Sequence, residues 1–368
     1  MSTLYLTEQY SVVKKDGESL VVHIPGNAEK GVEKRAVRVP LIKVDQVVVH
    51  GDVTLTAPAM QMLLGQRIEI CYTDFFGRFV GRLTPEFSKN SLIRLAQHRA
   101  HNEPGRALAL AKCFVVGKLS NMRTMLLRAN RKLNDGEIEN VCAGMKAVLA
   151  KVEAMELGAR AAGAGNVAAG NVAANVPYAV VNPAVGVVND LLGLEGAASG
   201  MYFGVFGKLL KQGWEFSGRA KRPPTDPINA LLSYGYTILM HKQQAAIGIV
   251  GLDPFVGFLH SSQYGKPALA LDLMEEFRPV IVDSVVMTLV NNGVLQREDF
   301  LREAGTFRMT DGARRKFLEK FEERMQTEIE HPTFHYKATY QRCMELQTRL
   351  LAKQLTGEIP VYPPLVVR

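Results

Sequence analysis

Three side chains of this sequence are of types that bind divalent metal ions, and each lies beside residues that would expose it. They are Glu195 in the segment G-L-E-G, His260 in G-F-L-H-S-S and Glu275 in L-D-L-M-E-E-F-R-P. Two carboxylates and an imidazole suit Mg²⁺ or Mn²⁺. The chain also carries a formal net charge of +8, which suits a polyanionic partner. A carboxylate-bound metal in a basic protein indicates chemistry on phosphodiesters.

Taken singly, Glu195 and His260 each have a structural interpretation. Small residues follow Glu195, which is typical of a carboxylate near a helix start, where the helix dipole favours negative charge. Asp253 and Pro254 predict the start of a short helix that would carry His260 to its C-terminal end. A histidine at such an end is more often structural than metal-bound. The polar residues 261–266 nevertheless place it at a rim rather than in a core.

Asp272 and Glu275 lie three residues apart in a helix that a proline opens, so they share one face of it. Their apolar neighbours predict that this helix is largely buried. Buried like charges are unfavourable unless a cation compensates them. A divalent metal ion would supply that charge, and so would a salt bridge from Arg278, Lys266 or Arg222. Spacing alone leaves both explanations open.

Basic residues are concentrated in two regions. One comprises the first long helices, where Arg and Lys recur between residues 94 and 132, and the other is Arg219, Lys221 and Arg222 before P-P-T-D-P. Such runs are usually solvated helix faces, but beside a metal site they would contact phosphates. The sequence contains neither a P-loop motif nor a dinucleotide-binding glycine motif, which disfavours a nucleotide hydrolase or a dehydrogenase.

The elements that position these residues fall into two regions of different character. Short β-branched runs separated by turn residues fill 1–88, whereas 89–368 keeps helical periodicity to about residue 355. We therefore predict an α+β fold, with a small N-terminal β-sandwich-like domain over 1–88 and a larger all-α domain over 89–368. The stretch 158–188, rich in Ala, Gly, Asn and Val, predicts a loop or loosely packed insertion.

Composition narrows the class of protein. The 368 residues are 47% hydrophobic, enough to bury two cores. The four cysteines are widely spaced without a C-x-x-C pair, which predicts reduced thiols rather than a zinc site or a disulfide scaffold. The N-terminus lacks the pattern of a signal peptide, and no apolar run approaches the roughly 18 residues of a membrane span. These features predict a soluble cytoplasmic protein without membrane contact.

Four motifs together resemble the Cas1 family, the CRISPR-associated integrases of spacer acquisition. In chain order they are G-L-E-G, P-T-D-P-I-N-A-L-L-S-Y-G-Y-T, G-F-L-H and L-D-L-M-E-E-F-R-P, and the resemblance extends over nearly the whole chain. It implies that Glu195, His260 and Glu275 bind Mg²⁺ or Mn²⁺, in a catalytic site to which Asp272 also contributes as an auxiliary group. The residues that we expect to contact DNA beside this site are Lys266, Arg222, Lys221, Arg219 and Asn229.

The resemblance further implies partners and a reaction. It implies a homodimer that uses the N-terminal domain, and a heterohexamer in which two such dimers flank a dimer of Cas2. The assembly would hold a short double-stranded prespacer and join its 3′-hydroxyls to a CRISPR repeat, as a metal-dependent integrase and endonuclease. Two other functions stay open: a DNA-binding scaffold without catalysis, and a branched-DNA nuclease of repair or transposition. The complete set of three ligands argues against the scaffold.

Overall fold

The computed structural model describes residues 2–26, 33–75, 79–86, 90–156, 185–211, 213–220, 223–261, 263–303 and 305–367. The chain divides into two compact units, Met1–Lys89 and Asn90–Arg368. The predicted boundary between residues 88 and 89 falls one residue earlier. The roles predicted for the two regions, dimerisation and metal-dependent catalysis, stay predictions.

The first unit consists of two four-stranded sheets and one short α-helix. Its elements are β1 (Ser2–Leu6), β2 (Val12–Asp16), β3 (Ser19–Ile24), β4 (Arg35–Pro40), β5 (Val44–His50), β6 (Thr54–Leu55), α1 (Ala57–Gly65), β7 (Glu69–Thr73) and β8 (Phe79–Leu83). One sheet has the order β1-β5-β7-β8, with only β7 and β8 antiparallel. The other has the order β4-β3-β2-β6, with only β2 and β6 parallel.

Alternating apolar side chains give these two sheets a common core. In β3, Leu20, Val22 and Ile24 are buried, and the residues between them are only half-buried. They belong to the same buried cluster as Val47 of β5 and Ile70 of β7 in the other sheet. This period of two is what a strand with one buried face requires. The predicted α+β class, with a β-rich N-terminal region, is confirmed.

The second unit is built mainly from helices. They are α2 (Ser91–Asn102), α3 (Pro104–Leu133), α4 (Gly136–Ala154), α5 (Val185–Phe206), α6 (Pro227–Val250), α7 (Ala268–Met274), α8 (Ser284–Asn291), α9 (Asp311–Met325) and α10 (Tyr340–Thr356), with a π-helical segment at Pro279–Asp283. Polar side chains cap the N-termini of three of these helices. The side chains of Asn90, Asp135 and Asp226 each accept a backbone N–H in the first turn of the helix that follows.

Two short hairpins make the second unit mostly helical rather than all-α as predicted. β9 (Phe300–Glu303) pairs with β10 (Thr306–Met309), and β11 (Glu328–Glu330) pairs with β12 (Lys337–Thr339), both antiparallel. Each strand has only three or four residues. Strands this short do not display enough of a two-residue period to stand out from the helical pattern around them.

The segment that carries His260 is a loop, so the short helix predicted from Asp253 and Pro254 is wrong. Between α6 and α7, residues 251–261 and 263–267 form turns and bends. Asp253 Oδ1 accepts the backbone N–H of Phe255 at 2.8 Å, which closes a local turn instead of starting a helix. Gln97 of α2 holds this turn, because its Nε2 donates to the Asp253 carbonyl at 2.8 Å and its Oε1 accepts the Asp253 N–H at 2.8 Å.

Other expectations from the sequence concern the insertion, the cysteines and membrane spans. The predicted loop at 158–188 falls mostly on residues 157–184, which lie outside the described residues, and α5 already begins at Val185. All four cysteines are free thiols. Within the described part of the chain, no helix combines the length and the apolar character that a membrane crossing needs.

Candidate metal centre

The candidate site lies where α3, α5 and the end of α7 meet the loop that precedes α7. Glu195 belongs to α5, Glu275 directly follows α7, and His260 belongs to the loop. A fourth side chain, Lys118 of α3, forms ion pairs with both glutamates. Lys118 therefore links Glu195 to Glu275, and His260 Nε2 lies 3.8 Å from Glu275 Oε1.

Asp272 anchors the loop to α7. Its side chain is completely buried, and Oδ2 accepts the backbone N–H groups of Phe258 at 2.6 Å and Leu259 at 3.0 Å. Oδ1 accepts the N–H of His260 at 2.9 Å. The loop can come this close only because residue 257 is glycine, since a Cβ on Gly257 would lie 2.7 Å from Asp272 Oδ2. Asp272 thus shapes the loop that presents His260.

The same carboxylate orients the His260 ring. His260 Nδ1 lies 2.8 Å from Asp272 Oδ1. Because an ionised carboxylate can only accept, Nδ1 donates this hydrogen bond and the lone pair of the neutral ring is on Nε2. Nε2 lies 3.8 Å from Glu275 Oε1. A carboxylate behind a histidine in this way is the usual support of a metal-binding imidazole.

Glu275 is buried but surrounded by positive charge. Its Oε1 lies 3.2 Å from Arg278 Nη1, and its Oε2 lies 2.7 Å from Lys118 Nζ, an ion pair without the angles of a directed hydrogen bond. Burial alone would raise the pKa of this carboxyl, but Arg278, Lys118 and His260 outweigh it and lower the pKa to about 2. Glu275 is therefore ionised at neutral pH.

Glu195 is less buried than Glu275 and faces the same ammonium group. Its Oε1 pairs with Lys118 Nζ and also accepts the hydroxyl of Ser199, one helical turn later, at 2.8 Å. These two contacts hold the carboxylate beside α3. Glu195 and Glu275 consequently share Lys118 as a common counter-ion.

Arg278 lies against the ring of Tyr236, whose hydroxyl is bonded to the buried acid Asp283. Its guanidinium carbon lies 4.9 Å from the centroid of the Tyr236 ring, within range of a cation–π interaction. The Tyr236 hydroxyl donates to Asp283 Oδ1 at 2.6 Å, and the Tyr202 hydroxyl donates to Oδ2 at 2.9 Å. Burial raises the pKa of Asp283 to about 6, although both tyrosine hydroxyls oppose this. The salt bridge from Arg278 to Glu275, one of the alternatives that the sequence left open, is present.

Lys118 was missed as a site residue because it was grouped with the basic residues of a solvated helix face. Only 5% of its surface is exposed. A signal was present in the sequence, since Phe114, Val115 and Met122 lie three or four residues away and define an apolar face of α3 that includes Lys118. A lysine on such a face needs a buried partner.

The chemistry of the donor set fits a divalent metal ion. It offers carboxylate oxygens and one imidazole nitrogen, and Glu275 Oε2 is a buried oxygen without a hydrogen-bond partner. Lys118 Nζ contacts the carboxylate oxygens that such an ion would use. In this arrangement, across the ranges that the structure describes, no three His, Cys, Asp or Glu side chains form a group that could hold a metal ion. The metal-binding roles of Glu195, His260 and Glu275 stay predictions.

The residues expected to contact DNA are placed differently from one another. Lys266 is half-buried in the loop before α7, beside exposed residues. Lys221 and Arg222 lie outside the described residues. Arg219 donates from Nη1 to Asn229 Oδ1 at 2.8 Å and from Nη2 to Ser233 Oγ at 3.0 Å. Its predicted contact with DNA stays a prediction.

Asn229 lies inside the second unit, and its predicted contact with DNA also stays a prediction. The side chain is completely buried at the start of α6, where Nδ2 donates to the Gly218 carbonyl at 2.9 Å and Oδ1 accepts the Ala220 N–H at 2.9 Å. These hydrogen bonds satisfy the buried amide. Asn229 thereby ties the segment before α6 to the helix.

A family comparison decides what kind of chain carries this site. The family model described as CRISPR associated protein Cas1 matches residues 4–323. This chain belongs to the Cas1 family. The resemblance inferred from the four sequence motifs is thereby confirmed.

Two curated members of the Cas1 family match this chain over nearly its whole length. "CRISPR-associated endonuclease Cas1 2" of Rhodospirillum rubrum is 38% identical over 368 residues, covering 99% of this chain and 98% of that protein. A "CRISPR-associated exonuclease Cas4/endonuclease Cas1 fusion" of Geobacter sulfurreducens is 37% identical over 374 residues. The match covers 99% of this chain but only 60% of the fusion protein.

Solved structures with the Cas1 architecture include two that are informative here. A casposase bound to an integration product has a TM-score of 0.80 at 23% identity, covering 100% of this chain and 95% of that one. At this identity the likeness concerns the fold alone. A Cas6-RT-Cas1–Cas2 complex contains a chain with a TM-score of 0.71 and 25% identity, covering 99% of this chain and 36% of that one.

Proposed function

We propose that this chain is a metal-dependent DNA integrase and endonuclease that inserts prespacer DNA into a CRISPR array. The observation that carries the proposal is the convergence of Glu195, His260 and Glu275 at one place in a Cas1 chain. The spacer-integration role rests on membership of the family. The dependence on Mg²⁺ or Mn²⁺ rests on the chemistry of these side chains.

Glu195, Glu275 and His260 Nε2 would hold the metal ion, which when bound would polarise a phosphate oxygen and stabilise negative charge on the reacting oxygens. The remaining residues prepare these ligands. Asp272 keeps Nε2 of His260 directed towards Glu275, and Arg278 keeps Glu275 ionised. Glu275 is thus charged and the His260 ring is oriented before any ion binds.

The proposed partners are double-stranded DNA, a second copy of the chain and Cas2. The net charge of +8 supports binding to the DNA backbone, with Lys266, Lys221, Arg222 and Arg219 as proposed phosphate contacts. The Cas6-RT-Cas1–Cas2 structure, whose Cas1-like chain is 25% identical, supports an assembly with Cas2. The heterohexamer of two Cas1 dimers around a Cas2 dimer is carried over from the family resemblance.

An integration assay tests this function. The chain and Cas2 are incubated with labelled prespacer DNA and a repeat-containing plasmid, in MnCl₂ or in EDTA. We expect strand joining in Mn²⁺ and none in EDTA, a loss of at least about 100-fold in His260→Ala, and retained DNA binding by that variant. His98→Ala, at an exposed position of α2, is the matched control.

Other outcomes would contradict the proposal in distinguishable ways. Joining by His260→Ala at the wild-type rate would remove the histidine from the site. DNA binding by the wild type without any joining or cleavage would favour the scaffold, and cleavage of branched DNA without joining would favour the repair nuclease.

A further inference from the structure

Lys118 has an unusual position for a lysine. It lies within α3 with 5% of its surface exposed, and its Nζ contacts Glu195 Oε1 and, at 2.7 Å, Glu275 Oε2. A buried ammonium group is stable only when carboxylates or other acceptors compensate for its lost hydration. The two glutamates provide this compensation. In turn, they need a cation between them, because two neighbouring carboxylates repel each other and Glu275 is buried.

Two positively charged side chains, Lys118 and Arg278, contact Glu275, and they differ in whether a metal ion would displace them. Arg278 contacts Oε1 of Glu275 and is clamped by the Tyr236 ring, so it supports one acid from the side. Lys118 alone bridges Glu195 and Glu275 among the ion pairs of the described residues. A divalent ion bound by both acids would lie next to Lys118 Nζ, which now occupies the position between their oxygens. The ammonium and the ion would repel each other there, because both are positive.

We infer that Lys118 is the internal counter-ion of the metal centre: its ammonium holds Glu195 and Glu275 together before a metal ion binds and leaves their oxygens when the ion arrives. The inference rests on the proposed function and adds a competition that this function does not require. A lysine suits this role, because its charge lies at the end of four rotatable bonds and can move while α3 stays in place.

A substitution that removes only the charge separates this role from simple packing. Lys118→Met keeps an unbranched side chain of similar length. The metal-free variant should unfold roughly 5–10 °C lower than the wild type, because the two acids lose their shared cation. At pH 8 the same variant should bind MnCl₂ at least about tenfold more tightly by titration calorimetry, because no ammonium has to be displaced.

Lys242→Met is the matched control. Lys242 of α6 is also buried and pairs with Glu322 of α9 at 2.7 Å, away from the site. Its loss should lower the unfolding temperature without changing the dissociation constant for Mn²⁺. Glu275→Gln, measured in parallel, reports whether the Mn²⁺ binding observed belongs to this site.

The outcomes distinguish the inference from the proposed function. Wild-type binding that depends on Glu275, together with equal or weaker binding by Lys118→Met, overturns the role of Lys118 and leaves the metal centre standing. Binding by Lys118→Met but not by the wild type supports it. Absence of Glu275-dependent binding in both proteins overturns the metal centre and the inference together.

A measurement on the wild type covers the case in which Lys118→Met does not fold. Limited reaction with an amine-acetylating reagent, followed by peptide mass spectrometry, reports the accessibility of each lysine. Acetylation of Lys118 should rise at least about threefold when MnCl₂ is added, because the released ammonium loses its ion pairs. Acetylation of Lys242 should stay constant. An unchanged value for Lys118 in MnCl₂ that binds the protein overturns the inference.

Discussion

Asp272 and Glu275 lie one helical turn apart, yet their carboxylates face different partners. Asp272 accepts three backbone N–H groups and the His260 ring. Glu275 faces the charged groups of Lys118 and Arg278. The first arrangement fixes a loop, whereas the second leaves oxygens directed at cations. The two carboxylates therefore have different roles, which depend on the groups that surround them.

Asp272→Asn should reduce activity while weakening Mn²⁺ binding less than Glu275→Gln does. The amide NH₂ of asparagine would face backbone N–H donors, so one acceptor is lost and the loop carrying His260 is less firmly held. We expect a stability loss of about 1–3 kcal/mol. Urea unfolding and calorimetric titration with MnCl₂ measure the two effects. If both substitutions weaken Mn²⁺ binding equally, Asp272 is a direct ligand rather than a support for His260.

At the scale of elements, the C-terminal segment after α10 ties parts of the site together. Tyr362 and Leu365 of this segment are buried. Asn121 Nδ2 donates to the carbonyl groups of Glu276 and Leu365, at 2.8 Å each. Asn121 lies three residues after Lys118 on α3, and Glu276 directly follows Glu275. The tail thus connects the two elements that carry the lysine and the buried acid.

The C-terminal segment also donates hydrogen bonds to the buried carboxyl of Glu276. Burial raises its pKa to about 7, although Tyr362, the Leu365 backbone and Gln347 all donate to the carboxyl and lower it. The Tyr362 hydroxyl donates to Glu276 and accepts from Gln347 Nε2, which lies 2.8 Å away. Because this carboxyl is buried, the loss of any one of its donors should reduce the stability of the fold.

Tyr362→Phe should therefore lower the free energy of unfolding by about 1–3 kcal/mol, because it removes the donor to buried Glu276 Oε1 and one of the three acceptors of Gln347 Nε2. Tyr264→Phe is the matched control, since Tyr264 is fully exposed and its hydroxyl should contribute less than about 0.5 kcal/mol. Urea unfolding of both variants at one pH measures the difference. Equal stabilities of the two variants would show that the tail does not brace this part of the fold.

At the scale of the whole molecule, the sequence predicted features whose causes are local. The strands of the first unit are an example, because they depend on a two-residue period that is visible in a short stretch of sequence. The loop at His260 was mistaken for a helix because its shape depends on Gln97 and Asp272, one of them more than 150 residues away.

The candidate site also depends on contacts between residues that are far apart in the sequence. Spacing identified Asp272 and Glu275 as a helix face with unbalanced charge, and the family motifs selected Glu195, His260 and Glu275 as the ligands. Neither could identify Lys118, because its partners Glu195 and Glu275 lie on other elements. The burial of Asn229 could not be predicted for a related reason: it comes from the segment before α6, which folds over the side chain.

The net charge of +8 leads to a prediction about the whole molecule. DNA binding should weaken steeply with salt, because bound cations leave the duplex as lysine and arginine side chains replace them. Lys266→Gln should reduce the slope of log Kd against log salt by about 0.9, the value for one lost phosphate contact.

Lys146→Gln, at an exposed position of α4, has the same effect on net charge and should leave the slope nearly unchanged. Fluorescence anisotropy with a labelled duplex at several KCl concentrations compares them. If both variants lower the slope equally, DNA senses the overall charge of the molecule and Lys266 has no specific contact.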